Sequence, residues 1–368
     1  MKVLLVTGSF PPMRCGVGDY TWKLATALTE AGITVGVLTG EDAAAIEAPG
    51  DVTVFPVMPD WRLSSIGKAN KVIRTWKPDV VHVQYPTQGY DPGAALPSLI
   101  PWLASFHKIG IVRTWHEIPS GREKSFLLQA SPRGEFIVTR QSFSDTLPGL
   151  AKALLHRSRC HYIPIGSNIS AVDLTNDERL SLRNRYLDND SKSRRIIAYF
   201  GFLYRFKGAD QLFDICNSAT DHLIFIGDMT VDDSYTAEIA ERAETPPWQG
   251  HATLLGYLPE NDIARHLALA DGVVLPFRRG GGIGNGTIHA AVLQGTPVVT
   301  TSRERVGYDS IQNVFYAPPD NIDSMRDAVD NLVGQRRPAS TNVDDRQWHE
   351  IAIEHRKVYD KAIARLSK

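Results

Sequence analysis

The residues best suited to chemistry cluster in one glycine-rich stretch, Gly280-Gly281-Gly282-Ile283-Gly284-Asn285-Gly286-Thr287. It leads into Ile288–Gln294 and then Gly295-Thr296-Pro297-Val298-Val299. A backbone with few side chains brings amide N–H groups to a helix start, where phosphate is attracted. Asn285 or Thr287 suits the N-cap, and a cap leaves other N–H groups for an anion. Five glycines in eight residues cost backbone entropy, which points to a ligand cradle formed by Gly284, Asn285, Gly286 and Thr287. A second loop, Gly201–Gly208, carries Arg205 and Lys207 just before a helix start. Two cations there neutralise a diphosphate that gains charge as it leaves; solvation of two surface cations is the plain alternative. A third loop, Gly8–Asp19, holds Gly16-Val17-Gly18 at a helix entry, where bare backbone can approach a phosphate or sugar; a turn with a tight helix entry is the plain alternative. It is not a dinucleotide fingerprint, because Thr21 stands where the third glycine belongs. The fourth group is His116, just past a strand, placed to donate to a sugar hydroxyl or handle a proton. A lone histidine serves equally as a structural residue.

These loops need a frame, and the hydrophobic pattern supplies one. Strands are predicted at Lys2–Val6, Thr34–Leu38, Val52–Phe55, Val80–Val83, Ile111–Thr114 and Phe136–Thr139, with helices at Tyr20–Ala31 and Ser64–Trp76. The pattern restarts at Arg195–Gly201 and continues at Leu223–Ile226, Thr253–Leu255, Val273–Leu275, Thr296–Thr300 and Val314–Tyr316. Such alternation predicts two doubly wound α/β domains rather than one very large sheet. The joint is expected near Ile163–Asn168, giving domains 1–165 and 166–345, with a last helix at about 346–368 returning to the first. Its apolar side would hold Trp348, Ile351, Tyr359, Ile363 and Leu366. Facing each other, the domains form a cleft, and ligands bind at the carboxyl ends of the strands.

The bulk properties narrow the class. The chain has 368 residues, 43% apolar and 22% charged, as a globular protein of about two domains has. A net charge of −1 argues against nucleic acid as a partner. Three scattered cysteines make neither a disulfide framework nor a zinc site, which points to a reducing, cytoplasmic setting. The N-terminal apolar run is too short for a signal peptide or a membrane span. The run Ala94–Phe106, broken by Pro97 and Pro101, reads as a buried helix edge; contact with a membrane surface is the other reading. Asp188-Asn189-Asp190, among polar neighbours, reads as a solvated turn rather than a metal site.

Several markers in order along the chain carry a resemblance. They are Pro11-Pro12…Gly16-Val17-Gly18, Pro78-Asp79-Val80-Val81-His82, His116, Ile163-Pro164-Ile165-Gly166 and Gly201…Lys207-Gly208. Gly256-Tyr257-Leu258-Pro259, Ala270–Pro276 and Gly295-Thr296-Pro297-Val298-Val299 complete them. Together they resemble the GT-B glycosyltransferases, in particular the retaining enzymes of family 4. The resemblance implies transfer of a sugar from a nucleoside diphosphate sugar to a hydroxyl acceptor (glycan, lipid-linked or small molecule). It implies no bound metal and no cofactor beyond the donor. The first domain would hold the acceptor, with peripheral membrane contact where that acceptor is a lipid, and the second the nucleotide. Lys207 matches the family's diphosphate-binding lysine, whereas its arginine position is Phe202, with Arg205 as the neighbouring substitute. His116 corresponds to the histidine beside the donor sugar. The family's paired glutamates fall at Gly282 and Ala290, so both carboxylates are missing, including the one that usually holds the ribose. That departure keeps two rivals open: an inactive, glycosyltransferase-like binding or scaffold protein, and a nucleotide-sugar epimerase or hydrolase on the same fold.

Overall fold

The structure, a computed structural model, describes the chain except residues 46, 49, 92, 118–133, 140–158, 188–192, 231, 282–284, 340–343 and 368. Asp188–Asp190, Gly282 and Gly284 therefore lie outside the described residues. The chain divides into two compact units, Met1–Gly166 with Asp345–Lys368, and Ser167–Asp344.

The first unit is built on β1 (Lys2–Val6), β2 (Thr34–Gly40), β3 (Thr53–Met58), β4 (Val80–Tyr85), β5 (Gly110–Trp115), β6 (Glu135–Val138) and β7 (Cys160–Tyr162). They lie in the order β3-β2-β1-β4-β5-β6-β7, every pair parallel. Both faces are covered, so the strands are apolar on both sides. Val3 and Leu5 join one core with the helices Gly16–Glu30 and Asp344–Ala364; Leu4 and Val6 join another with Ile66–Trp76 and Leu96–Phe106. The Gly16–Glu30 helix buries Tyr20, Leu24, Ala27 and Leu28 at helical spacing. It starts earlier than the apolar pattern shows, because Gly16-Val17-Gly18 is its first turn rather than a loop. In the last helix Trp348, Ile351 and Tyr359 are buried as expected and share the buried side with Ala352, His355 and Ala362, whereas Leu366 lies past the helix end at Ala364 and is exposed.

The second unit repeats the plan. Its strands are β8 (Arg195–Phe200), β9 (Asp221–Ile226), β10 (Ala252–Gly256), β11 (Gly272–Leu275), β12 (Val298–Thr301), β13 (Gly307–Asp309) and β14 (Val314–Ala317). The order is β10-β9-β8-β11-β12-β14-β13, parallel apart from the antiparallel edge pair β13–β14. Among the parallel strands of each sheet the order reverses at one place, between β1 and β4 and between β8 and β11. Open α/β sheets bind ligands outside the carboxyl ends of the strands at such a point.

Candidate functional site

In the first unit, the loops after β1 and β4 interlock at the reversal. A Cβ on Gly89 would stand 1.9 Å from the Gly8 carbonyl oxygen, and the Gly89 N–H donates to Ser9 Oγ at 2.7 Å. A Cβ on Gly18 would meet the Ser9 carbonyl oxygen at 3.1 Å, whereas one on Gly16 would meet nothing within 4 Å. Gly18 is therefore small because the helix is pressed against its own preceding loop. Of the two glycines, Gly16 is the one whose Cβ direction is open. The cap residue, Cys15, gives this helix no side-chain hydrogen bond.

His116 follows β5 and sits over the end of β4. Its N–H donates to the Tyr85 carbonyl (2.8 Å), and its Nε2 donates to Gln84 Oε1 (2.9 Å). The edge of the Tyr20 ring meets it at a centroid distance of 4.8 Å. Burial, reinforced by His355, pushes its pKa down to about 3, so the ring is neutral at ordinary pH. Gln84 and His82 share a face of β4 and are fully buried. Gln84 Nε2 donates to His82 Nε2 at 3.3 Å, and the Thr114 hydroxyl lies 2.7 Å from the same nitrogen. His82 Nδ1 is 2.9 Å from the Tyr359 hydroxyl of the last helix. Tyr20 donates to His355 Nε2 at 3.4 Å, and His355 Nδ1 donates to the Ile351 carbonyl at 2.7 Å. Burial also holds the pKa of His82 well below its usual value and brings that of His355 to about 4. Sequence reasoning missed this network. Its signal was the pair of polar residues two apart in an otherwise apolar buried strand, Val80-Val81-His82-Val83-Gln84.

In the second unit, Arg205–Lys207 form a single tight turn closed by Gly208, whose φ is 72°. A Cβ on Gly208 would lie 2.1 Å from the Pro276 carbonyl oxygen, and the Arg278 N–H donates to the Phe206 carbonyl at 3.1 Å. The turn after β8 is thus locked to the segment after β11, across the strand-order reversal. Lys207 Nζ sits 4.8 Å from the Phe277 ring centroid. Arg205 is engaged elsewhere: it donates to Glu238 at 2.8 Å and lies over the Tyr235 ring at 4.8 Å. Arg278 is an anchor too, bound to Asp210 at 2.5 Å and to Asp320 at 3.4 Å.

Asn285 caps the Gly286–Leu293 helix. Its Oδ1 accepts from the Thr287 N–H (3.1 Å) and hydroxyl (2.8 Å), and its carbonyl accepts from Ile288 N–H at 3.1 Å. Thr287 thus serves the cap, while the flank of Gly286 is open: a Cβ there would meet nothing within 4 Å. Two of the five glycines are there for packing. Gly280 turns the chain at φ 82°, and a Cβ on Gly281 would stand 2.4 Å from the Phe277 ring. The Gly201 loop borders this helix start, since its Cβ position is 3.5 Å from Thr287 Cγ2. Gly227, at the end of β9 and missed in the sequence, backs that loop: its Cβ would be 1.9 Å from the Gly201 carbonyl oxygen. Ala290, where the ribose-holding glutamate would stand, is fully buried in the apolar core. Among the described residues, no group of three or more His, Cys, Asp or Glu is placed to hold a metal ion.

A two-domain fold with loops gathered at both strand-order reversals is the GT-B architecture. Family models agree with it: "Glycosyltransferase Family 4" matches residues 15–164 and "Glycosyl transferases group 1" matches residues 194–335. The chain belongs to this family of glycosyltransferases and is an enzyme of that class. Among solved structures, a glycosyltransferase from Rickettsia africae is 14% identical with a TM-score of 0.73, covering 98% of both chains. Sucrose-phosphate synthase from Thermosynechococcus elongatus is 16% identical at 0.70, covering 99% of each. HepE from Anabaena, solved with UDP, is 17% identical at 0.67 over the whole of both chains. No match was found among curated protein sequences.

Proposed function

We propose that the protein transfers a sugar from a nucleoside diphosphate sugar to a hydroxyl acceptor, with retention and without a bound metal. The observation that carries this reading is the joining, in the second unit, of the Lys207 turn to the segment after β11, and of the Gly201 loop to the Asn285–Thr287 helix start. A cation and a helix start at one strand-order reversal suit a diphosphate. HepE solved with UDP and with UDP-glucose, and starch synthase IV from Arabidopsis thaliana solved with ADP, support the same donor class. Lys207 meets the diphosphate together with the backbone of Gly284–Thr287. With no carboxylate at position 290, the ribose is held without the family's usual acid.

The first unit takes the acceptor, with Gly16 giving a ligand room and neutral His116 meeting a sugar hydroxyl. In the transfer, the bond from the anomeric carbon to the phosphate oxygen breaks. The acceptor oxygen bonds to that carbon from the same face, and its proton passes to the leaving phosphate oxygen. Lys207 offsets the charge that accumulates there.

A lipid-linked acceptor has support on the Leu96–Phe106 helix. Trp102 and Phe106, one turn apart, are 46% and 84% exposed, with Lys108 just beyond. Exposed aromatics beside a cation suit the surface of an anionic bilayer. Among the described residues no helix is long and apolar enough to cross a membrane.

The test is a thermal-shift panel of nucleoside diphosphates and their sugars. A ligand at a hundred times its Kd stabilises the folded state by about 2.7 kcal/mol, a Tm rise of several degrees. If every nucleoside diphosphate leaves the Tm unchanged, the donor assignment is wrong.

A further inference from the structure

We infer that Gln84, held in turn by His82 and the C-terminal helix, is a positioning residue that fixes His116 as the tautomer protonated at Nε2, leaving Nδ1 as a hydrogen-bond acceptor for a substrate hydroxyl. This deepens the proposed function and rests on its placement of His116 at the substrate.

A neutral imidazole has one donor and one acceptor nitrogen, and its environment selects which is which. The Gln84 carbonyl oxygen lies 2.9 Å from His116 Nε2 and can only accept, so the proton sits on Nε2. The amide has no freedom to turn alone, because its nitrogen faces His82 Nε2 at 3.3 Å. The Thr114 hydroxyl lies 2.7 Å from the same His82 nitrogen; with Gln84 and Thr114 both donating to it, His82 carries its own proton on Nδ1 and donates it to the Tyr359 hydroxyl at 2.9 Å. Reversing the Gln84 amide would require His82 to change tautomer and Tyr359 to reverse its hydrogen bond. The hydrogen-bond chain thus runs from the last helix through His82 and Gln84 to a histidine that is distant in sequence.

The ring is steadied from its other side by the same helix. Tyr20 packs edge-on against His116 at 4.8 Å, touches Trp348 at 5.5 Å, and donates to His355. Three histidines share this interior with two tyrosines, Gln84 and Thr114, and the hydrogen bonds that join them involve no acid. With no carboxylate among these partners, the hydrogen-bond chain selects the tautomer of His116. Groups that hold the far nitrogen of a working histidine fix its orientation and tautomer elsewhere in protein chemistry.

The experiment is histidine side-chain nitrogen NMR on the full chain, for the wild type, Gln84→Met and Gln84→Glu, with thermal melts as the folding control. Wild-type His116 should show a protonated Nε2 and a bare Nδ1 across neutral pH. Gln84→Met, of similar size but without the acceptor, should give a mixture of tautomers. Gln84→Glu should retain the Nε2 proton and draw a second one onto Nδ1. Turnover of UDP-, ADP- and GDP-sugars is measured alongside, and kcat should fall roughly ten- to a hundredfold in both variants while donor KM changes less than about threefold. A wild-type His116 pattern in folded Gln84→Met, or a wild-type His116 protonated at Nδ1, overturns the inference. His116→Ala separates this from the reading beneath it. If that variant turns over normally, the placement of His116 at the substrate has failed, whatever the spectra of the Gln84 variants show.

Discussion

Replacing Lys207 tests the donor half of the site in a way the structure makes quantitative. In the free protein Nζ sits over the Phe277 ring at 4.8 Å and over Phe206 at 5.8 Å. A cation–π contact at a partly exposed site is worth about 0.5–1 kcal/mol, so losing these two ring contacts in Lys207→Met, which keeps the aliphatic stem, should by itself lower stability by about 1–2 kcal/mol. A charge-assisted hydrogen bond to phosphate is worth about 1.5–3 kcal/mol, so nucleoside diphosphate affinity should fall roughly 10- to 150-fold. Calorimetric titration with UDP, ADP and GDP at two salt concentrations measures both the loss and its electrostatic origin. Wild-type affinity should weaken with salt more than that of the variant. Arg205→Met is the internal comparison. Because Arg205 is paired with Glu238 and laid over Tyr235, its loss should change affinity less than about threefold. Equal losses for the two variants, or an unchanged Kd for Lys207→Met, would refute the reasoning that distinguishes them.

Three other expectations concern the packing and the surface. Gly208→Ala forces a Cβ to within 2.1 Å of the Pro276 carbonyl oxygen at a φ of 72°, so the second unit should lose at least about 2 kcal/mol, a drop in Tm of roughly 5 °C. Trp102→Ser with Phe106→Ser should abolish co-flotation with anionic vesicles and lower stability by about 1–3 kcal/mol, chiefly through Trp102, which is only 46% exposed where Phe106 is 84% exposed. Buried Glu135 loses solvation, which raises its pKa, but hydrogen bonds from His161 and Arg365 outweigh this and hold it below the usual carboxyl value. A lowered folded pKa gives stability that is present above the ordinary carboxyl value and is lost as pH falls through the folded one. Glu135→Gln should therefore flatten the acid limb of a stability–pH curve and cost about 1–2 kcal/mol at neutral pH, discounted for the exposure of Arg365.

The alternation of apolar runs showed most of the two sheets, since strands covered on both faces are apolar throughout. Two strands escaped it for physical reasons. Cys160–Tyr162 is three residues long and only partly buried, and Gly307–Asp309 is a short antiparallel edge whose pairing with β14 is not encoded locally. The site was legible as loops and only partly as roles. Glycine counts cannot separate Gly281, squeezed by Phe277, from Gly286, which has an open flank. Nor does the sequence show that Arg205 reaches Glu238, 33 positions away, or that Tyr359 braces His82, 277 positions away. His82 and Gln84 did leave a local trace, as polar residues on one face of a buried strand, and that trace was readable as a place where the interior does more than pack.

Sugar transfer from a nucleotide donor can be watched by proton NMR of the reaction. The enzyme is mixed with UDP-, ADP- and GDP-sugars and a set of hydroxyl acceptors, and the anomeric signals are followed with time. A nucleoside diphosphate should be released together with a new glycosidic signal of the same anomeric configuration as the donor. Donors that remain intact, or that are hydrolysed or epimerised while every acceptor stays unmodified, would contradict this transfer.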